Sequence, residues 1–154
     1  MTPGPANVLF VCLGNSCRSQ MAEALARHLA PDVIAPSSAG LSPLGYIADP
    51  TRMVLLERGV STEGQFSKGL HDDSIPQPPA LVINMSGRSL NSHFTDTPVD
   101  DWNVEDPFGD DVATYRRICD DIEARVRDLA ARLRANPEST ASQRRSPKNE
   151  PASP

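Results

Sequence analysis

The chain predicts an α/β domain built on a parallel sheet, on three observations. Asn7-Val-Leu-Phe-Val11 and Pro79-Ala-Leu-Val-Ile-Asn84 are short runs apolar on both faces, the pattern of strands covered on each side. Segments with the helical apolar period separate and follow such runs, and strands alternating with helices make parallel βαβ units. The length of 154 residues, 38% hydrophobic and 23% charged, suits one domain with a proper core.

The elements follow in order. The strand at 7–11 runs into Cys12 and a polar loop, after which Ser19 is placed to cap a helix whose apolar positions Met21, Ala22, Leu25 and Leu29 lead to Ala30. A second strand spans Val33 to Ser38 and ends in the small-residue turn Ser38-Ala-Gly40. Pro43 to Ala48 reads as a loop. Asp49 as N-cap and Pro50 at the first helical position then open a helix through Met53, Val54, Leu55 and Leu56, which Gly59 stops. Val60 to Asp73 has little pattern and reads as loop with a helical turn. The strand at 79–84 is followed by a short last strand near Val99 to Trp102. Asp110 to Leu133 is the longest helix, with Tyr115, Ile118, Cys119, Ile122, Val126, Leu129 and Leu133 on one stripe.

From Ala135 the chain reads ANPESTASQRRSPKNEPASP, with four prolines, four serines and no large apolar residue. Such a segment buries too little surface to offset the entropy of ordering. The organisation expected is therefore a flexible lead-in (1–6), one domain (7–134) and a disordered tail (135–154).

Composition narrows the function. Twenty acidic against 15 basic residues leave a net charge of -5, with no basic stripe ahead of the last dozen residues, so no nucleic-acid partner is expected. No apolar run approaches the roughly 20 residues that a bilayer span requires. The N-terminus has neither a basic n-region nor a small-residue cleavage site, so no membrane association is expected and the cytoplasm is the expected location. Three cysteines are too few for a disulfide framework and suit a reducing compartment. His28, His71 and His93 lie in no CxxC or HxxxH spacing, so neither a metal nor another cofactor is expected.

The loop Cys12-Leu13-Gly14-Asn15-Ser16-Cys17-Arg18 carries the chemistry. It lies where a strand ends and a helix begins, the edge at which ligands sit in such sheets. Successive backbone N–H groups and the positive end of the helix dipole make a cradle there for a tetrahedral oxyanion. The same field stabilises a thiolate and makes Cys12 nucleophilic at neutral pH. Arg18 offers a bidentate fork for two oxygens of the anion. Gly14 permits the tight loop, Asn15 braces it, and the Ser19 hydroxyl is placed to donate to the Cys12 sulfur. Nucleophile, oxyanion clamp and leaving-thiolate stabiliser together make the chemistry of a phosphocysteine intermediate.

CLGNSCRSQMAEA resembles the C-x5-R-S phosphate loop of the low-molecular-weight protein tyrosine phosphatase superfamily, which includes thioredoxin-linked and mycothiol-linked arsenate reductases. The Ser38-Ala-Gly40 turn, the Asp106-Pro107 loop and the helix after it are also similar to that family's, in its order, so the likeness spans about Asn7 to Leu133. The resemblance implies a three-layer sandwich with a four-stranded parallel sheet, Cys12 as nucleophile, Arg18 as clamp and Asp106 as general acid and then base. It also implies phosphate, sulfate or arsenate as oxyanion ligands. Around Asp106 the sequence collects further acids: Asp100, Asp101, Glu105, Asp110 and Asp111.

The chain departs from the family in ways that bear on substrate. The thioredoxin-linked reductases pass oxidation through two cysteines after the third strand, where this chain has Met85-Ser-Gly-Arg-Ser-Leu-Asn-Ser-His93 and no cysteine. Cys17 matches a second loop cysteine of several members, one able to form a reversible disulfide with Cys12. Phosphatases of the family often carry Asp-Pro-Tyr-Tyr where this chain has Asp106-Pro-Phe108-Gly109, leaving Phe108 and Tyr46 as the aromatic walls. Gln65 stands where a loop-supporting histidine is common. The function expected is hydrolysis of phosphate monoesters, protein phosphotyrosine foremost, on a phosphorylated protein or a small phosphomonoester. The alternative is reduction of arsenate coupled to an external small thiol such as mycothiol.

Overall fold

The computed structural model of the chain describes residues 4–136. The elements are β1 (Ala6–Cys12), α1 (Arg18–Leu29), β2 (Ile34–Gly40), α2 (Asp49–Glu57), β3 (Leu81–Asn84), β4 (Val99–Asp101) and α3 (Val112–Ala135). All four strands are parallel, in the order β2-β1-β3-β4, so the sheet is the predicted α/β type. In this order β1 lies between β2 and β3, and the chain leaves β1 to one side and later returns to the other. The crevice beyond the carboxyl ends of β1 and β3 is thus the topological switch point, where ligands of open α/β sheets bind.

The period-2 alternation of β1 sorts the core. Val8, Phe10 and Cys12 face the side of the three helices, where they pack with Met21, Leu25, Leu55, Tyr115, Ile118, Ile122 and Val126. Leu9 and Val11 face the other side, with Val82, Leu70, Ile75 and Leu90, so irregular segments cover that face. Trp102 packs in the helix-side core, its ring 6.0 Å from that of Phe10.

Several boundaries differ from the sequence expectation. β1 begins at Ala6, inside the expected flexible lead-in, because Ala6 N donates to Val33 O. α1 begins at Arg18 with Cys17 as its N-cap, and Ser19 lies inside the helix with its hydroxyl turned to the loop instead of capping. At α2 the N-cap is Ala48, whose extended backbone delivers Asp49 and Pro50 into the first turn. Gly59, at φ 76, takes the left-handed turn that ends α2, and Val60 N closes it onto Leu55 O. The N-cap of α3 is Asp111, whose carboxylate accepts from Thr114 N at 3.0 Å. α3 runs on to Ala135, and the rest of the expected tail lies outside the described residues except Asn136, as do residues 1–3.

Candidate active site

The loop from Cys12 to Arg18 is held by its carbonyls. Cys12 O accepts from Leu41 N, Leu13 O from Ser42 N, Gly14 O from Leu44 N and Ser16 O from Ala48 N, while Cys17 O accepts from Met21 N inside α1. Thr51 Oγ1 adds a 2.9 Å bond to Ser16 O, and Gln20 Nε2 a 3.2 Å bond to Asn15 O. In a trans peptide the next N–H points opposite its carbonyl. A loop whose carbonyls are all tied outward therefore turns its amides inward, over the start of α1.

Two residues let the chain fold so tightly. Asn15 sits at φ 50, a left-handed conformation that asparagine tolerates, with its side chain bonded on every side. Its Oδ1 accepts from Lys68 N at 2.8 Å and from Gln20 Nε2 at 3.0 Å, and its Nδ2 donates to Ser19 Oγ at 2.7 Å. Gly40, the β2 partner of Cys12 in the sheet, passes so close behind the loop that a Cβ would lie 2.8 Å from Asn15 N and from Leu13 O.

Ser19 Oγ lies 2.9 Å from Cys12 Sγ. Because that oxygen already accepts the Asn15 amide, its own hydrogen is free to point at the sulfur. Arg18 enters from the other side, its side chain only 7% exposed. Its Nη1 donates to the carbonyls of Met85 and Val104, and its Nη2 stands 3.5 Å from Asp106 Oδ2. Its Nε is, among the described residues, the one buried side-chain nitrogen or oxygen with no partner. The guanidinium is thus anchored through Nη1, faces Asp106 through Nη2 and keeps one buried donor, Nε, unsatisfied, as an oxyanion would require.

Asp106 is pinned by Oδ1, which accepts from Phe108 N at 3.0 Å, leaving Oδ2 toward Arg18. The acids that the sequence gathers near it are partly engaged elsewhere. Asp101 accepts from Asn84 Nδ2, Glu105 pairs with Arg117 and Asp111 caps α3. Cys17 lies against the Tyr115 hydroxyl at 3.4 Å, and burial pushes its thiol up. Burial likewise pushes the Tyr115 phenol up. Cys12, Cys17 and Cys119 are all free thiols.

A cavity of about 200 Å³ opens onto these groups, lined by Cys12, Leu13, Gly14, Ser16, Cys17, Arg18, Ser42, Leu44, Asp106 and Phe108. The structure therefore brings together most of the sequence-selected residues. Asn15 and Ser19 stand behind the cradle as braces. Tyr46 lies outside the lining, 53% exposed, and Leu44 provides the wall expected of it. Sequence reading missed Leu44, Gln20 and Lys68 and the two carbonyls that anchor Arg18, and marked Gly40 only as the end of a small-residue turn. The run Gly14 to Gln20 held one signal, a glutamine in the first turn of a helix that is otherwise buried there, since Gln20 is fully buried and needs polar partners. No group of three or more His, Cys, Asp or Glu side chains among the described residues is arranged to hold a metal ion. Among the described residues no helix is long and apolar enough to cross a membrane.

Comparison with known proteins places this geometry among relatives. The sequence profile of the low molecular weight phosphotyrosine protein phosphatase family matches residues 7–139. A glutaredoxin arsenate reductase of Synechocystis is 33% identical over 130 residues, 82% of this chain and 97% of that one. An arsenate reductase of Brevibacillus brevis is 30% identical over 125 residues, 80% and 92% of the two chains. Among solved structures, an arsenate reductase in its phosphate binding state superposes with a TM-score of 0.75 at 30% identity, covering 83% of this chain and 98% of that one. The YwlE arginine phosphatase of Geobacillus stearothermophilus superposes at 0.73 with 28% identity, covering 85% and 94%.

Proposed function

Since the chain belongs to the low-molecular-weight phosphotyrosine protein phosphatase family, we propose that it reduces arsenate at Cys12, with an external small thiol as electron donor. The observation that carries this reading is Arg18 Nε, a buried cationic donor without a partner beside a thiol and a ring of inward amides. A tetrahedral oxyanion satisfies all of these at once. The curated relatives named arsenate reductases support arsenate as that oxyanion.

The chemistry proceeds in balanced steps. The Cys12 thiolate attacks arsenic, an As–S bond forms, and one oxygen leaves as water after protonation from Asp106. A thiol then attacks Cys12 Sγ, forming an S–S bond. The As–S bond breaks with its electron pair kept by arsenic, which departs as arsenite. A second thiol reduces the mixed disulfide and restores Cys12. One arsenate and two thiols become arsenite, one disulfide and water.

The donor must come from outside, because the segment 85–93 after β3 carries no cysteine. Cys119 is fully buried on the stripe of α3 and does not line the cavity. Cys17 lines it, but burial keeps its thiol protonated at neutral pH, which makes it a poor attacking group.

A second reading, hydrolysis of phosphate monoesters through phospho-Cys12, draws on Asp106 beside Arg18 at the cavity and on the likeness to the arginine phosphatase. Arsenite production with glutathione or mycothiol, run beside p-nitrophenyl phosphate hydrolysis, separates the two. Thiol-dependent arsenite that Cys12→Ser abolishes is the expected result. A burst of nitrophenolate with steady turnover, and no arsenite with either thiol, overturns the reductase and leaves the phosphatase.

A further inference from the structure

Behind the loop runs a chain of side chains that the reaction steps above do not use. Arg27 Nη1 donates to Gln65 Oε1 at 2.7 Å, and Gln65 Nε2 donates to Gln20 Oε1 at 2.7 Å. Gln20 Nε2 donates to Asn15 Oδ1 at 3.0 Å, and Asn15 Nδ2 to Ser19 Oγ at 2.7 Å. Ser19 closes the chain on Cys12 Sγ at 2.9 Å.

The direction of every link is set from both ends. A guanidinium only donates, so Gln65 must accept through Oε1 and offer Nε2 to Gln20. At the other end Lys68 N–H only donates, so Asn15 Oδ1 accepts it and Nδ2 is turned to Ser19. Asn15 Nδ2 takes one of the two lone pairs of Ser19 Oγ, and a Cys12 thiolate has no hydrogen to give, so the Ser19 proton turns to the sulfur. Five hydrogen bonds thus point the same way, from a cation to a nucleophile, and aligned links polarise one another.

We propose that Gln65 is a positioning residue that, with Arg27 and Gln20, holds the Ser19 hydroxyl as a donor to the Cys12 thiolate. The inference rests on Cys12 being the nucleophile and deepens that reading. Gln65 does this without a proton of its own to lose, so the support it gives does not switch with pH as an imidazole's would.

The charged and titratable groups on all sides define the background. Arg18 from α1, Asp106 from the loop ahead of α3 and Cys17 line the cavity with Cys12, and Tyr115 of α3 stands behind Cys17. At the far end Arg27 also pairs with Glu23, whose carboxylate lies 3.9 Å from Lys68 Nζ and accepts from Ser38 Oγ at 2.6 Å. Asp72 also faces Lys68, so two cations and two carboxylates stand at that end.

The test reads Cys12 alone, by peptide-resolved alkylation with iodoacetamide at pH 6.5 and 9.5, with thermal melting as a control for folding. In Gln65→Leu the ratio of the rate at pH 6.5 to that at pH 9.5 is expected to fall about three- to tenfold, the scale of one weakened hydrogen bond to a charged group. Arg27→Met breaks the chain at its origin and shifts the ratio in the same direction, which keeps the question open to test if Gln65→Leu folds poorly. In a Ser19→Ala background Gln65→Leu is expected to add nothing, because the chain acts through Ser19. An unchanged ratio in a well-folded variant, or an effect that persists undiminished without Ser19, overturns the proposal. Alkylation needs neither arsenate nor a phosphate ester, so its outcome is independent of the arsenite assay and the two inferences fail separately.

Discussion

Gly40 packs its bare Cα against the backbone of Asn15, so that a Cβ would stand 2.8 Å from Asn15 N. The contact forces the end of β2 and the loop after β1 into one rigid layer. Gly40→Ala is expected to lose about 1–3 kcal/mol of stability through overpacking, with a loss of phosphate binding as the amides shift. Urea unfolding and calorimetric titration with inorganic phosphate check it. Wild-type binding in the variant would mean that the loop moves freely past β2.

Arg18 does two jobs with one planar group, Nη1 on the carbonyls of Met85 and Val104 and Nε left without a partner in a side chain that lines the cavity. A lysine has no second edge. Arg18→Lys is expected to weaken inorganic phosphate binding about 10- to 100-fold, the loss of one or two charge-assisted hydrogen bonds. Binding within about threefold of wild type in the same titration would remove Arg18 Nε from the clamp.

Asp106 has one oxygen tied to Phe108 N and the other beside Arg18. If it protonates the leaving oxygen and later activates water, hydrolysis depends on it twice. Asp106→Asn is expected to cut turnover of phenyl phosphate, whose leaving group needs a proton, about 100-fold or more. Equal rates for variant and wild type would assign that carboxylate to the loop's structure alone.

Cys119 is fully enclosed on the stripe of α3, and burial pushes its thiol from 9.0 up to about 11. Above pH 9 the unfolded chain has begun to lose a proton that the folded chain keeps, so stability is full below that pH and falls as pH rises toward 11. The loss by pH 10 is expected to be about 1–1.5 kcal/mol. Urea unfolding of wild type and Cys119→Ala at pH 8 and pH 10 checks it, the difference between the two pH values shrinking in the variant. Tyr115, also pushed up by burial, produces the same sign of slope at still higher pH.

The order of strands and helices was legible because it depends on neighbours in sequence. Apolar period in 7–11 and 79–84 marks β1 and β3, and the stripe from Tyr115 to Leu133 marks α3. The ends were less so. Ser19 has the composition of a cap, yet contact with Cys12 seven residues back competes for its hydroxyl and wins, and the helix starts at Arg18, two residues earlier than a Ser19 cap would place it. At α2 the N-cap is Ala48, one residue before the aspartate, so Asp49 and Pro50 both lie in the first turn, where the proline's fixed φ and missing N–H are tolerated.

The loop's chemistry follows the same division. A thiol, a glycine, an asparagine, an arginine and a serine at fixed spacing within one strand-to-helix turn are local, and sequence alone determined that Cys12, Arg18 and Ser19 would meet. What braces them comes from far away in the chain. Met85 and Val104 supply the carbonyls that orient Arg18, Lys68 the amide that orients Asn15, Gln65 and Arg27 the chain behind Ser19, and Leu44 in place of Tyr46 the cavity wall. A hydrogen bond or a wall between residues dozens of positions apart is set by how the parallel sheet stacks its crossovers, and only the tertiary structure decides which backbone groups that stacking brings within 3 Å.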